Sequence, residues 1–256
     1  MVSRPGLLEG KSCAILGATS EIGRETALLF AREGADLLLS GRRGTILSNL
    51  AEECRREGVR VETLQLDLSR PDARESLINK VAKDFRKLDA LVSYIGYPLE
   101  AELWYKGVVE LDEAEITRVL NVDFLTSFRA VSGLLPFMEG GALILTASTP
   151  ALSWYSYGAV YSIAKLAVVG LVRAVAAEYK RYRVRAYALA LGNIKTSATY
   201  DALREDEKVA LAEESPMGRW GEPSEVAKVA LALASDLFSF VNGQVIVVDG
   251  GTLMLG

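Results

Sequence analysis

The chain has 256 residues, 29 Lys+Arg against 33 Asp+Glu, half of its residues apolar, and no histidine. Without an imidazole there is no Ser-His-Asp or Cys-His machinery, no histidine base and no imidazole metal ligand. The net charge of −4 offers no basic face for nucleic acid, and Cys13 and Cys54, with no CxxC, fit two free thiols of a reducing cytosol better than a metal or redox pair.

Along the chain, short runs rich in Ile, Leu and Val recur at 12–16, 36–40, 59–66, 90–95, 141–146, 184–190 and 245–248. Most do not alternate, as expected of strands covered on both faces. Helical spacing between them predicts helices over 22–33, 45–57, 71–85, 113–135, 157–179 and 223–235, with start signals at Asp72 to Glu75 and at Pro223 with Ser224. Strand–helix alternation of this kind reads as right-handed βαβ units, a parallel sheet with helices on both sides. No linker, repeat or low-complexity segment divides residues 1–256, which predicts one domain. No apolar run approaches 18 residues and the first ten lack a signal-peptide pattern, so a soluble cytoplasmic protein without a membrane segment is expected. Residues 196–219 break the rhythm: polar, charged and helix-prone, ending in Ser215-Pro216-Met217-Gly218. They read either as a surface excursion or as a lid over a site at the strand ends.

The first strand runs into Gly17-Ala18-Thr19-Ser20-Glu21-Ile22-Gly23 and then a helix. A glycine-rich turn there lets backbone amides approach a pyrophosphate, and the helix N-terminus adds partial positive charge. A tight turn with no ligand favours glycine as well. The second strand ends in Ser40-Gly41-Arg42-Arg43, without the acid that accepts from the ribose hydroxyls of NAD. Guanidinium groups match a phosphate bidentately, so the 2′-phosphate of NADP(H) is the better fit, with NAD(H) as the other candidate and a pair of solvated arginines as the plain alternative. Further on, Tyr161 and Lys165 stand four apart, on one helical face. An ammonium beside a phenol favours the phenolate and suits it to acid/base work. With ten tyrosines in the chain this spacing alone carries little weight.

Its context carries more. Ser148 lies just past an apolar strand and Asn121 inside a predicted helix, so the Gly17 turn, Asn121-Val122, Ser148 and the Tyr161/Lys165 pair fall in order. From Lys11 to Gly251 the chain thereby resembles the short-chain dehydrogenase/reductase family, the branch of about 250 residues that includes 3-oxoacyl-(acyl-carrier-protein) reductases. The tail, with Gly218-Arg-Trp-Gly-Glu-Pro-Ser-Glu-Val-Ala and Val248-Asp249-Gly250-Gly251, looks like the end of those sequences. The resemblance implies a three-layer, doubly wound Rossmann-type sheet in the order 3-2-1-4-5-6-7. It implies that Tyr161 exchanges a proton with the substrate oxygen, that Ser148 hydrogen-bonds that oxygen, and that Lys165 holds the nicotinamide ribose and keeps Tyr161 acidic. Asn121 would support a water linking Lys165 to solvent. Gly17, Thr19, Ser20, Ile22, Gly23, Arg42 and Arg43 would hold the nucleotide, Asp67 and Leu68 the adenine, and Gly96, Ile194 and Thr196 the nicotinamide side. An enoyl reductase of the same superfamily would place tyrosine seven before the lysine, where this chain has Gly158.

Three positions depart from the family pattern: Ser93-Tyr94-Ile95-Gly96 stands for Asn-Asn-Ala-Gly, Glu21 for the middle glycine of the first turn, and Leu191-Gly192 for Pro-Gly. A carboxylate at Glu21 suits a helix N-terminus but would repel a pyrophosphate if it pointed inward. These departures motivate a competing reading, a non-catalytic NADP-binding or scaffolding homologue. Tyr94, Tyr97, Trp104, Tyr105, Trp154, Tyr155, Tyr157 and Tyr200 fall near the expected carboxyl ends of the strands. They read singly as core and together as the wall of an apolar, aromatic-lined pocket for a small carbonyl or alcohol. By resemblance, the two longest predicted helices would join subunits in a homodimer or homotetramer.

Overall fold

A computed structural model describes residues 5–98, 100–153 and 155–254. The runs of branched aliphatic residues become seven parallel strands: β1 (Ser12–Leu16), β2 (Asp36–Gly41), β3 (Val61–Gln65), β4 (Ala90–Ser93), β5 (Ala142–Ser148), β6 (Arg185–Leu191) and β7 (Gln244–Val248). They pair in the order β3-β2-β1-β4-β5-β6-β7, as the resemblance implies. Successive side chains of one strand enter opposite cores. Cys13 and Ile15 of β1 join Leu37, Leu39, Val92 and Ile144 on one face, while Ala14 and Leu16 join Leu38, Leu91, Leu143 and Leu145 on the other. Because both faces are covered, the pleat leaves no polar alternation in the sequence. Each fully buried aliphatic side chain contributes about 1.5–3 kcal/mol.

The first face is covered by α1 (Glu21–Arg32), α2 (Gly44–Arg55) and α10 (Pro223–Ala234). The second is covered by α3 (Ala73–Asp84), α6 (Thr126–Leu134) and α7 (Ala159–Glu178). Short α4 (Ala101–Trp104) and α5 (Glu113–Leu120) lie before α6, and α8 (Ser197–Tyr200) with α9 (Glu205–Glu213) fills most of the polar excursion. α7 has the length and mean hydropathy, 1.7, of a membrane span, yet Val168, Val169, Val172 and Val175 pack it onto the sheet. Cys13 and Cys54 are free and buried. Burial pushes both thiols up, Cys54 to about 12, so neither is poised as a nucleophile.

One predicted element divides. The helix expected over 113–135 is interrupted by a π turn, Asn121–Leu125, between α5 and α6. The Thr126 hydroxyl donates back to the Val122 carbonyl, and the Ser127 hydroxyl donates to the Asp123 carbonyl at 2.9 Å. Hydroxyls that compete for helical carbonyls widen a helix locally, and single π turns occur at functional positions. β5 also runs on past its predicted end at 146, so Ser148 is the last residue of the strand and stands opposite Leu191 of β6.

Candidate active site

The carboxyl ends of β1 and β2 form the first part of the site. Ser20 caps α1: its hydroxyl accepts the Gly23 amide at 3.1 Å and donates to the Gly17 carbonyl at 2.8 Å. A Cβ on Gly23 would stand 2.3 Å from the Gly17 carbonyl oxygen, so only glycine lets the helix start this close to the strand. Ile22 packs on the core beneath the turn. The two arginines separate. The Arg43 guanidinium donates to the Thr19 carbonyl and braces the turn, while Arg42 stays exposed at the end of β2. Glu21 is exposed and reaches the segment after β6, where both its carboxylate oxygens accept the Ser197 amide, at 2.9 and 3.0 Å.

After β3, Asp67 accepts the amide and the hydroxyl of Ser69 at 3.0 and 2.7 Å. These bonds hold its carboxyl below the ordinary carboxylate range. Leu68 is buried in the second core. After β4 the two bulky departures are absorbed by packing: Tyr94 joins the first core, with its phenol 2.8 Å from the Thr26 hydroxyl, and Ile95 joins the second. Tyr94 is thus a half-buried prop under α1 rather than a pocket wall, and the enclosure of its hydroxyl pushes the phenol up. After β6, Ile194 is buried against Gly221. Thr196 opens α8 with its hydroxyl 2.9 Å from that of Thr199. The excursion is tied down at several points besides Glu21: among them, the Trp220 indole donates to the Lys208 carbonyl at 2.9 Å, the Asn193 amide donates to the Leu211 carbonyl at 3.0 Å, Tyr200 meets Trp220 edge-on at 5.1 Å, and the Ser215 hydroxyl donates to the Gly250 carbonyl at 2.9 Å.

The second part lies at the ends of β5 and β6. The Ser148 hydroxyl donates to the Leu191 carbonyl across the strand ends at 3.2 Å. Tyr161, in the first turns of α7, is half-buried, with the Lys165 ammonium 5.5 Å from its ring centre. Lys165 is buried, and its Nζ lies 2.7 Å from Oδ1 of Asp123, which is wholly buried in the π turn. Oδ1 of Asp123 also accepts the Tyr97 amide at 3.2 Å. Its other oxygen, Oδ2, has no hydrogen-bond partner among the described residues. Burial alone would pull the Lys165 ammonium down; the charges of Asp123 and Tyr161 and the Asp123 bond outweigh it, and the net direction is up. Gly96 lies exposed beside the pair, and a Cβ there would stand 3.0 Å from Nζ.

Among the described residues no direct hydrogen bond joins Asn121 to Lys165. Asn121 opens the π turn, and its amide oxygen accepts from Arg129 at 3.1 Å; Arg129 also donates to the carbonyls of Leu68 and Ser69. Asp123, two residues on, occupies the place beside the lysine. Sequence reading passed over Asp123, although a lone acid in the apolar stretch Val-Leu-Asn-Val-Asp-Phe-Leu is the signal of a buried carboxylate in need of a cation.

Trp104 packs edge-on against Tyr161 at 5.9 Å, and its carbonyl accepts the Gly158 amide at 2.7 Å. Gly158 caps α7 in the left-handed region, at φ 77°, and a Cβ there would stand 2.4 Å from the indole. The residue that an enoyl reductase would use is therefore a glycine that makes room for Trp104. Tyr105 and Tyr157 meet edge-on at 5.2 Å and are exposed, as is Tyr155. The Tyr97 hydroxyl donates to Glu100. Trp154 lies outside the described residues.

A family model described as enoyl-(acyl carrier protein) reductase matches residues 17–252. The chain is 32% identical over 250 residues to 3-oxoacyl-(acyl-carrier-protein) reductase FabG of Thermotoga maritima, covering 96% of this chain and 99% of the relative. It is also 32% identical over 258 residues to an A-factor type gamma-butyrolactone 1'-reductase (1S-forming) of Streptomyces virginiae, covering both chains entirely. Among solved structures, L-sorbose reductase of Gluconobacter frateurii, complexed with NADPH and L-sorbose, superposes with a TM-score of 0.88 at 25% identity, covering 99% of this chain and 100% of that one.

Proposed function

The chain belongs to the short-chain dehydrogenase/reductase family, and on that footing we propose that it is an NADP(H)-preferring oxidoreductase interconverting a carbonyl and a secondary alcohol. The observation that carries the reading is the Tyr161/Lys165 pair in the first turns of α7, with Lys165 buried and charged, on the sheet edge where Ser148 ends β5. The residues present suit a nicotinamide dinucleotide. The first turn is closed by a glycine that admits no side chain, Gly96 leaves the backbone bare beside Lys165, and Arg42 stands exposed just past β2, which supports a contact to a 2′-phosphate. Gly17, Thr19, Ser20, Ile22, Gly23 and Arg42 would hold the nucleotide, with Arg43 bracing the turn, Asp67 and Leu68 by the adenine, and Ile194 and Thr196 by the nicotinamide.

When bound, the dinucleotide supplies or takes up the hydride. Tyr161 gives a proton to the carbonyl oxygen in reduction and takes it back in oxidation. The Ser148 hydroxyl exchanges its long bond to Leu191 for one to the substrate oxygen, and so orients it. Trp104, over the ring of Tyr161, gives the pocket an apolar wall, which supports a small apolar or aromatic substrate. Thr196 to Arg219 form the candidate lid. Leu125, Phe128, Ile163 and Leu166 leave an exposed apolar face on the helices around the π turn and α7, which supports a cytoplasmic homodimer or homotetramer joined there. The packing of Tyr94 and Ile95 into the two cores supports the catalytic reading over that of a non-catalytic homologue.

The test is Tyr161→Phe. Turnover followed at 340 nm, with NADPH and NADH against ketoacyl, sugar, steroid and quinone substrates, falls about 10²–10⁴-fold in the variant. Dinucleotide binding by titration calorimetry is retained. Unchanged turnover would overturn the assignment of Tyr161.

A further inference from the structure

The loop after β3 is tied to three neighbours. Towards β2, the Leu66 amide donates to the Gly41 carbonyl at 3.1 Å and the Gln65 side-chain amide to the Arg42 carbonyl at 3.0 Å. Towards the sheet, Leu68 enters the second core. Towards α6, the carbonyls of Leu68 and Ser69, which no backbone amide among the described residues reaches, both accept from the Arg129 guanidinium, at 3.4 and 3.2 Å. Arg129 is half-buried, and among the described residues its acceptors are all neutral. The third is the Asn121 amide oxygen at 3.1 Å, eight positions back, where the π turn opens. One guanidinium therefore joins the loop to the same turn in which Asp123 meets Lys165. The junction of α3 with α6 has ties of its own. Arg74 of α3 donates to the Ser132 hydroxyl and carbonyl at 3.2 and 3.3 Å, and a Cβ on Gly133 would stand 3.2 Å from Cγ of Arg74.

We infer that Arg129 is a positioning residue of the dinucleotide site: it fixes the loop proposed to meet the adenine and, through Asn121, binds that loop to the π turn. This rests on the oxidoreductase reading for the identity of the ligand, whereas the tie itself stands on three hydrogen bonds. A guanidinium presents five N–H donors in a rigid plane, so it holds acceptors on two segments at a fixed separation; a lysine ammonium on its flexible stem does not. Hydrogen bonds from a charged donor contribute more than neutral ones, and a backbone carbonyl stripped of its donor must find another. Without Arg129 the loop keeps its hold on β2 and on the second core, and α6 keeps its hold on α3 through Arg74. The fold therefore stands, while the Leu68 and Ser69 carbonyls come loose and the adenine side of the site loses its shape.

The experiment compares wild type with Arg129→Met and Arg129→Lys by titration calorimetry against the two halves of the dinucleotide. In Arg129→Met the adenine half, probed with 5′-AMP and 2′,5′-ADP, binds about tenfold more weakly. The other half, probed with nicotinamide mononucleotide, stays within about twofold, because it shares no partner with the loop. Arg129→Lys stays closer to Arg129→Met than to wild type. Amide exchange at Ser69 and Arg70, followed without ligand, quickens about tenfold in both variants. A general loss of packing would weaken both halves alike, so parallel losses, or an unchanged adenine half in a folded variant, overturn the inference. Full recovery in Arg129→Lys would leave a charge effect and overturn it too. A wild type that binds neither half overturns the oxidoreductase reading; faster exchange at Ser69 and Arg70 in the variants then still upholds Arg129 as the tie of the loop, and unchanged exchange removes it.

Discussion

The turn after β1 and the π turn between α5 and α6 each bring a carboxylate to the carboxyl edge of the sheet, and they hold it in opposite ways. Glu21 is exposed and meets a backbone amide of the excursion after β6. Asp123 is wholly buried and meets an ammonium. Water screens the first, so its replacement costs little; the second has no solvent to fall back on, and each partner depends on the other. The same contrast separates the two halves of the site. The proposed nucleotide half is built of backbone and small residues beside an exposed carboxylate, whereas the proposed proton-transfer half is built of enclosed charge.

The largest expected break of this contrast is Lys165→Met. It strands Asp123 without a counter-charge and lowers the unfolding free energy by about 3–5 kcal/mol in urea denaturation. The folded-state value of Lys165 is raised, so its contribution is fully present below the ordinary lysine value of 10.5 and is lost as pH rises through the higher folded value. The loss of stability above that pH is correspondingly smaller in the variant. Next, Gly158→Ala combines a left-handed backbone with an indole 2.4 Å from the new Cβ; it costs about 1–3 kcal/mol and displaces Trp104, read as a blue-shift or red-shift of tryptophan emission and a changed KM. On the nucleotide side, Arg42→Ala lowers kcat/KM for NADPH about tenfold to a hundredfold while leaving NADH nearly unchanged, since one bidentate phosphate contact is lost. Equal losses with both cofactors would remove Arg42 from the 2′-phosphate site.

The smallest effects belong to exposed carboxylates. Glu21→Ala changes stability by less than about 1 kcal/mol and shows itself as faster amide exchange at Ser197. Glu225, bidentate to Arg219 at 2.8 Å, is held at about 2, chiefly by that pair and then by the Glu222 amide. Its folded value is depressed, so its contribution is present above the ordinary value of 4.5 and fades as pH falls towards 2. Solvent screening at the start of α10 keeps it to about 0.5–1 kcal/mol. Acid titration of Glu225→Gln against wild type checks it.

Much of this was legible before the fold. The strand runs were visible because a doubly covered parallel sheet needs unbroken aliphatic residues, and Tyr161 with Lys165 because helical spacing puts them on one face. Ser148 was placed just past a strand rather than as its final residue, since strand ends carry no periodicity of their own. Asp123 went unnoticed because a motif is matched by residue type, whereas the residue that touches Lys165 depends on where the helix widens. Tyr94 was grouped with the pocket because aromatic residues near strand ends look alike until the direction of each side chain is known.

Composition and order alone settled that this chain works without imidazole and that it alternates strand and helix into a parallel sheet, because these follow from residue inventory and short-range spacing. Only the tertiary structure decided that Glu21 meets Ser197, that Gly158 yields its space to Trp104, and that Lys165 lies against Asp123. Those depend on a π turn and on contacts between segments far apart in sequence, where burial, which no local pattern encodes, sets the strength of every charge.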